Sequence, residues 1–218
     1  MVLQRTVHRH KGHTIICCRK LTGFAKKLTN AIKLKKKVRQ IGDPILRKVA
    51  VPVERGFLVT PEFKNIVDEM TSTMKSNGIC GISAPQLGYP FQMCAIEVTG
   101  NHLKHNFNTY GSAGVSKMEM SLFPLKVLIN PKIRVTDSTI VSLRETCSSI
   151  EGYSAVVPRA KSIEVKALSV NAENECFAAT GWIARLIQHE VDHLNGHLFI
   201  DSMLYKSFSN DKWRNYLS

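Results

Sequence analysis

The sequence contains 218 residues, of which 44% are hydrophobic and 22% are charged. This composition is typical of a globular protein with a buried core, and it excludes a collagen-like, coiled-coil or mostly disordered chain. The formal net charge of +13 admits nucleic-acid binding, whereas no apolar run approaches the roughly 18 residues that a membrane-spanning helix needs.

The positive charge is concentrated at the N-terminus. Residues 1–42 hold 12 of the 30 Lys and Arg and no Asp or Glu, so the rest of the chain is close to neutral. An acid-free basic segment is typical of an organellar transit peptide. We therefore predict that residues 1–40 are a cleaved leader, with the mitochondrial matrix favoured over the chloroplast. A disordered basic tail or a nucleic-acid patch is the alternative, and we predict no direct nucleic-acid binding by residues 41–218.

The elements of the body follow from local patterns. Asp43-Pro44 predicts a turn, and Thr60-Pro61 predicts a helix start that Asn77-Gly78 ends. Residues 100–122 are polar and are interpreted as a long loop, and a last helix is predicted over 180–194. Alternating or β-branched segments predict strands at 91–98, 125–129, 139–143, 155–157 and 162–168. The predicted fold class is α+β, with mostly antiparallel strands packed around the C-terminal helix.

The strongest chemical signal is the segment His189-Glu190-Val191-Asp192-His193. Histidines four residues apart project from one face of a helix, so both imidazoles can bind one metal ion. Glu190, next to the first histidine, is placed to take a proton from a water on that metal. A pair of exposed helix histidines is the alternative, but the surrounding helix is largely apolar. The sequence therefore predicts a metal-binding helix.

Two histidines do not complete a metal site, since zinc and iron usually take at least one more protein ligand. Cys147 lies in a polar segment between two predicted strands and is one candidate, although a lone cysteine is commonly a small buried hydrophobe. None of the six cysteines forms a Cys-x-x-Cys pair, and a chain of this size needs no disulfide framework. From local evidence alone, the third ligand stays open.

Four segments, in order and spacing, resemble the peptide deformylases. They are Ile41-Gly42-Asp43-Pro44-Ile45-Leu46-Arg47, Gly81-Ile82-Ser83-Ala84-Pro85-Gln86-Leu87-Gly88, Glu145-Thr146-Cys147-Ser148-Ser149 and Gln188-His189-Glu190-Val191-Asp192-His193-Leu194-Asn195-Gly196. The serine at position 83 and the basic leader are most similar to the eukaryotic organellar branch, of mitochondrial type. The resemblance implies a deformylase-like catalytic domain over residues 41–218.

The resemblance also implies a ligand set and a reaction. Cys147, His189 and His193 would bind one divalent ion, Fe(II) or Zn(II). The enzyme would remove the formyl group from the N-terminal formylmethionine of nascent organellar polypeptides and release formate. Its partners would be N-formylmethionyl peptides and, at the point of synthesis, the organellar ribosome.

Further site residues follow from the same resemblance. Glu190 would be the general base, and the Gln86 side chain and the Ser148 N–H would stabilise the oxyanion. Cys80, Gly81 and Thr146 would line the path of the peptide. The family has glycine at the position of Thr146 and leucine at that of Ser148, and from the first difference we predict reduced activity that Thr146→Gly raises.

Three other functions remain open. A deformylase-like binding or regulatory protein with weak or lost activity would keep the metal, yet it has no need of Glu190. A zinc endopeptidase would need a third ligand after His193, and no convincing one is present. A nucleic-acid binder would depend on the leader.

Overall fold

The computed structural model describes residues 37–217, apart from the side chain of Tyr110. Most of the predicted leader lies outside the described residues. The strands are β1 (Gly81–Ser83), β2 (Met93–Val98), β3 (Phe123–Thr146), β4 (Tyr153–Leu168), β5 (Asn174–Thr180) and β6 (Ser209–Asn210). The α-helices are α1 (Pro61–Asn77), α2 (Gly100–Met118), α3 (Gly181–Leu194) and α4 (Phe199–Ser202).

These strands form one antiparallel sheet in the order β1-β2-β3-β4-β5, and β6 pairs with β4. Short 3-10 helices connect the elements; they are Pro44–Arg47, Arg55–Val59, Ala84–Leu87, Tyr205–Ser207 and Trp213–Tyr216. The prediction of an α+β fold with mostly antiparallel strands is confirmed. None of the helices within residues 37–217 is long and apolar enough to cross a membrane.

Helices cover both faces of the sheet. In β2, Cys94 and Ile96 pack with α3 residues such as Ile187, whereas Met93 and Ala95 pack in a second cluster with α1. Successive side chains of a strand point to opposite faces, so a strand buried on both sides needs a continuous apolar run. β2 is therefore apolar from Met93 to Ile96, and one of its faces packs against α3.

The predicted end signals of α1 are confirmed. Thr60 Oγ1 accepts a hydrogen bond from the Phe63 N–H at 3.2 Å, and Pro61 occupies the first turn. Gly78 ends the helix with φ = 65°, a left-handed conformation that glycine adopts without steric cost. The cap and the terminator thus fix the length of α1.

β3 and β4 form a long hairpin that the sequence suggested only in fragments. The register pairs Val135 with Ile163 and Thr146 with Ser154, with shifts between Ile129 and Ile140. Polar residues between the apolar fragments face solvent in the strand, and they concealed its continuity. β3 ends at Thr146, and Cys147 is the first residue of the turn that connects β3 to β4.

The interpretation of residues 100–122 as a loop was wrong, because most of them form α2. Thr99 caps the helix: its Oγ1 accepts from the His102 N–H at 3.4 Å, and its N–H donates to His102 Nδ1 at 3.1 Å. Gly111, at φ = 70° and ψ = 180°, interrupts the helix. Glycines and asparagines weaken the helical pattern, and few residues of α2 are buried, so no apolar stripe marked it.

Candidate metal centre

Cys147 comes together with His189 and His193, although it precedes His193 by 46 positions in the sequence. Their ligand atoms all lie within 4.8 Å of one another, and all three residues are buried. The two histidines share one face of α3, and Cys147 follows the end of β3. Cys147 Sγ lies 3.2 Å from His193 Nε2. One thiolate and two imidazoles are a donor set that suits zinc or iron.

The surroundings of these donor atoms fit a metal ion. His189 Nδ1 donates to Glu145 Oε2 at 3.0 Å, so Nε2 is the ring nitrogen that remains to bind a metal. Cys147 Sγ accepts from the Ser149 N–H at 3.4 Å and from Gln86 Nε2 at 3.6 Å. Burial lowers the pKa of His193 well below its usual value, and the neighbouring His189 lowers it further. A neutral imidazole is the form that binds metal.

A buried ionic network lies behind His189. The Glu145 carboxylate accepts two hydrogen bonds from Arg159, from Nε and Nη2, each at 2.9 Å. It accepts a third from Arg185 Nη1 at 2.6 Å. Arg159 also pairs with Asp192. Burial alone would raise the pKa of Glu145, but hydrogen bonds from His189 and Arg159 outweigh it and hold the pKa well below its usual range. Glu145 therefore stays ionised and fixes the orientation of the His189 ring.

Glu190 lies on α3 beside the first histidine and is 3% exposed. Burial raises the pKa of its carboxyl to about 7, which suits a group that accepts and returns a proton near neutral pH. Its Oε2 has no hydrogen-bond partner among the described residues. A Cβ atom added at Gly81 would lie 2.5 Å from Glu190 Oε1, so glycine leaves the space that the carboxylate occupies. Glycine at position 81 therefore makes room for the carboxylate, and Glu190 Oε2 remains available to a ligand.

Gln86 occupies a 3-10 helix after β1 and is 1% exposed. Its Oε1 accepts from the Ser83 N–H at 2.8 Å and from Ser83 Oγ at 3.1 Å, which sets the direction of the amide. Its Nε2 donates to Ser148 Oγ at 3.2 Å and Ser149 Oγ at 3.1 Å. The amide thus presents its donors beside the Cys147 sulfur.

A cavity of about 340 Å³ opens onto this centre, and Cys80, Gly81 and Thr146 lie along its wall. The remaining lining residues include apolar groups from α2 and α3, namely Met118, Trp182 and Leu186, and polar groups from α2, namely His105, Asn106 and Thr109. α2 therefore forms part of the wall, although the sequence suggested a loop there.

Thr146 shows no backbone strain. It lies in extended β3 opposite Ser154 and is not among the residues with positive φ, so a β-branched side chain fits this backbone conformation. Its side chain borders the cavity, so crowding of a ligand is the physical difference from glycine that remains.

The sequence signals for the ionic network were weak. Arg185 precedes His189 by four residues and shares its helix face, and a buried arginine on an apolar helix requires a partner. That pattern points to a nearby carboxylate. It does not identify Glu145 or Arg159, which lie on separate strands and meet only in the folded hairpin.

Comparisons with known proteins agree on one family. The polypeptide deformylase model matches residues 35–208. Human mitochondrial peptide deformylase is 41% identical over 176 residues, 81% of this chain and 71% of the relative. Tomato (Solanum lycopersicum) chloroplastic peptide deformylase 1A is 32% identical over 77% of the chain, which spans about three fifths of that relative's length (59%).

Solved structures show the same fold. A class I type b peptide deformylase from Acinetobacter baumannii with bound Met-Ala-Ser matches with a TM-score of 0.67 and 27% identity, over 79% of this chain and 100% of that one. A peptide deformylase from Synechococcus elongatus in complex with actinonin matches with a TM-score of 0.63 and 32% identity, over 79% and 82% of the two chains.

Proposed function

This chain belongs to the peptide deformylase family, and we propose that Cys147, His189, Glu190, His193, Gln86 and Ser148 carry out its reaction. The activity of the family is hydrolysis of the formyl amide at the N-terminus of a peptide, which yields formate and a free amine. The observation that carries the assignment of residues is the buried three-donor cluster with an unpartnered carboxylate oxygen beside it.

We propose that Cys147, His189 and His193 hold one divalent ion, Fe(II) or alternatively Zn(II). When bound, the ion supplies a Lewis acid that lowers the pKa of water and polarises the formyl oxygen. The Glu145 carboxylate keeps the His189 ring in its ligand tautomer, and hydrogen bonds from Gln86 and Ser149 stabilise the Cys147 thiolate.

Glu190 acts as the base. Its carboxylate accepts a proton from the attacking water while the water oxygen bonds to the formyl carbon. It then delivers that proton to the amine nitrogen as the carbon–nitrogen bond breaks. A pKa of about 7 allows the same group to accept the proton and to return it at neutral pH.

Two donors stabilise the negative charge that develops on the formyl oxygen. Gln86 Nε2 is oriented by Ser83, and the Ser148 N–H lies next to the Cys147 ligand. Gln86 Nε2 donates to the Ser148 and Ser149 hydroxyls in this structure, so one of these bonds is exchanged for the formyl oxygen when the substrate binds. One oxyanion donor held in a buried site contributes about 10²–10³ in kcat.

The substrate adds to the sheet as a strand. β1 is the edge of the sheet and, within the described residues, pairs only with β2, so its other side is free for an extended peptide. Gly81 belongs to β1, with Cys80 before it and Thr146 across the cavity. The methionine side chain then enters the cavity against Met118, Trp182 and Leu186. The related A. baumannii enzyme carries Met-Ala-Ser, which is consistent with this placement.

We also propose that residues at the N-terminus direct the protein to the mitochondrial matrix, where it acts on nascent chains at the organellar ribosome. The support is the acid-free basic segment and the similarity to human mitochondrial peptide deformylase. Similarity to a chloroplastic relative makes the chloroplast the second choice.

Substrate comparison tests the proposal. We expect the metal-loaded chain to release formate from formyl-Met-Ala-Ser, to leave acetyl-Met-Ala-Ser and casein intact, and to lose activity when a chelator removes the ion. Cleavage of casein would instead indicate an endopeptidase. Bound metal without turnover of any substrate would indicate a binding or regulatory protein.

A further inference from the structure

Residues 38–41, here named the N-terminal strap, contact both loops that carry the oxyanion donors. The first contact is to the loop after β1, where the Arg39 N–H donates to the Gln86 carbonyl oxygen at 2.8 Å. This bond fixes the backbone of the residue whose side-chain amide donates into the site.

The second contact is to the loop after β3. Gln40 Nε2 donates to the Ser148 carbonyl oxygen at 2.9 Å, and the Ile41 N–H donates to the Ser149 carbonyl oxygen at 2.8 Å. The strap therefore connects two loops whose donor residues are 62 positions apart in sequence.

One peptide group, between Ser148 and Ser149, connects the Gln40 hydrogen bond to the Cys147 sulfur. The Ser148 carbonyl that accepts from Gln40 belongs to the same planar peptide as the Ser149 N–H, which donates to Cys147 Sγ at 3.4 Å. Because a peptide group is rigid, fixing its carbonyl also fixes the direction of its N–H. Hydrogen bonds in such a chain also polarise one another.

The strap is anchored at both ends. Val38 packs, half-buried, against the apolar cluster between α1 and the sheet. After the strap, the Asp43 N–H donates to the Gln40 carbonyl oxygen at 3.0 Å, and Asp43 Oδ1 caps the next 3-10 helix by accepting from the Ile45 N–H at 3.1 Å. The chain is thus held on each side of the contacts.

We propose that residues 38–41 are positioning residues, which hold the donors of Gln86, Ser148 and Ser149 in their working geometry. The proposal rests on the oxyanion roles given above. It also moves the boundary of the functional domain: leader removal has to stop upstream of Val38, since a chain that begins at Ile41 lacks two of the three contacts.

Substitutions in the full chain test the Ser148 side of the strap. Gln40→Leu and Gln40→Glu both remove the amide donor at nearly constant size. We expect kcat for formyl-Met-Ala-Ser to fall about tenfold, part of the 10²–10³ that complete loss of a donor costs, with KM changed less than twofold. Gln92→Leu and Gln92→Glu are matched controls, because Gln92 Nε2 also donates to a backbone carbonyl, that of Ala50, at 3.1 Å.

The Gln86 side is tested at Arg39. Arg39→Pro removes the N–H that donates to Gln86, whereas Arg39→Ala keeps it, so the difference between the two variants reports the backbone bond. Hydrogen exchange gives a readout that needs no activity. We expect faster exchange over residues 83–88 in Arg39→Pro and over 147–150 in the Gln40 variants, with α1 unchanged.

Each outcome decides the question. Unchanged exchange and kinetics equal to those of the Gln92 controls would overturn the proposal, as would a loss of kcat that merely follows loss of metal or a lower unfolding temperature. If the unmodified chain releases no formate, the proposed function fails. The exchange experiment then still determines whether the strap holds the two loops.

Discussion

Glu145→Gln removes the charge at the centre of the buried network behind His189. Glu145 is 5% exposed and accepts four hydrogen bonds, from Arg159, Arg185 and His189. Glutamine keeps the shape, but one of its two terminal atoms is now a donor that faces other donors. Both guanidinium groups and the imidazole then lack their shared counter-charge.

The loss of stability in Glu145→Gln depends on the hydrogen-bond partners that Arg159 and Arg185 keep. Breaking a buried ion pair costs about 3–5 kcal/mol, and we expect the lower end, about 3 kcal/mol. Asp192 still pairs with Arg159, and the Val157 carbonyl oxygen still accepts from Arg185 at 2.9 Å. For a domain of this size, each kcal/mol lowers Tm by roughly 2–4 °C, so the expected fall is about 6–12 °C. Metal affinity should fall about 10–100-fold, since the His189 ring loses its orienting acceptor.

Two assays measure these effects separately. Thermal unfolding in excess chelator gives the Tm of the metal-free protein, and competition with a chelator of known affinity gives the zinc dissociation constant. Glu164→Gln is the matched control, since Glu164 pairs with Arg134 on the surface and its loss should shift neither quantity measurably. A Glu145→Gln protein with the midpoint and zinc affinity of the unmodified chain would refute the reasoning.

Two further substitutions address the cavity. In Gly81→Ala the new methyl group would lie 2.5 Å from Glu190 Oε1 and displace the base. We therefore expect kcat to fall at least tenfold with metal content unchanged. Steady-state kinetics and metal analysis measure these two quantities, and full activity would contradict the expectation. Thr146→Gly removes a side chain that borders the cavity without relieving strain, and kcat/KM for formyl-Met-Ala-Ser should rise; an equal or lower value would show that Thr146 does not crowd the peptide.

The parts of the fold that local chemistry determines were predictable from sequence. Thr60 and Gly78 mark the ends of α1, and the spacing of His189 and His193 predicts a shared helix face. α2 was missed because its exposed, glycine-containing sequence has no apolar stripe. Thr99 caps the start of α2, but the residues after it show no helical periodicity of apolar side chains.

The site divides in the same way. The histidine pair follows from helical periodicity, but local residues left the third ligand open, and Cys147 was assigned through the family resemblance. The Glu145 network and the strap depend on register and on contacts between distant segments. The pairing of β3 with β4 places Glu145 near Arg159, and no local pattern encodes that pairing.

The central claim is that Glu190 is the base of a deformylation reaction at this site. It is tested most directly by formate release from formyl-Met-Ala-Ser, with the full chain purified without oxygen and loaded with iron(II), beside Glu190→Ala. We predict turnover in the unmodified chain and a loss of at least about 100-fold in the variant, with metal still bound at about one ion per chain. Equal rates in the two proteins, or no turnover in either despite bound metal, would contradict the account.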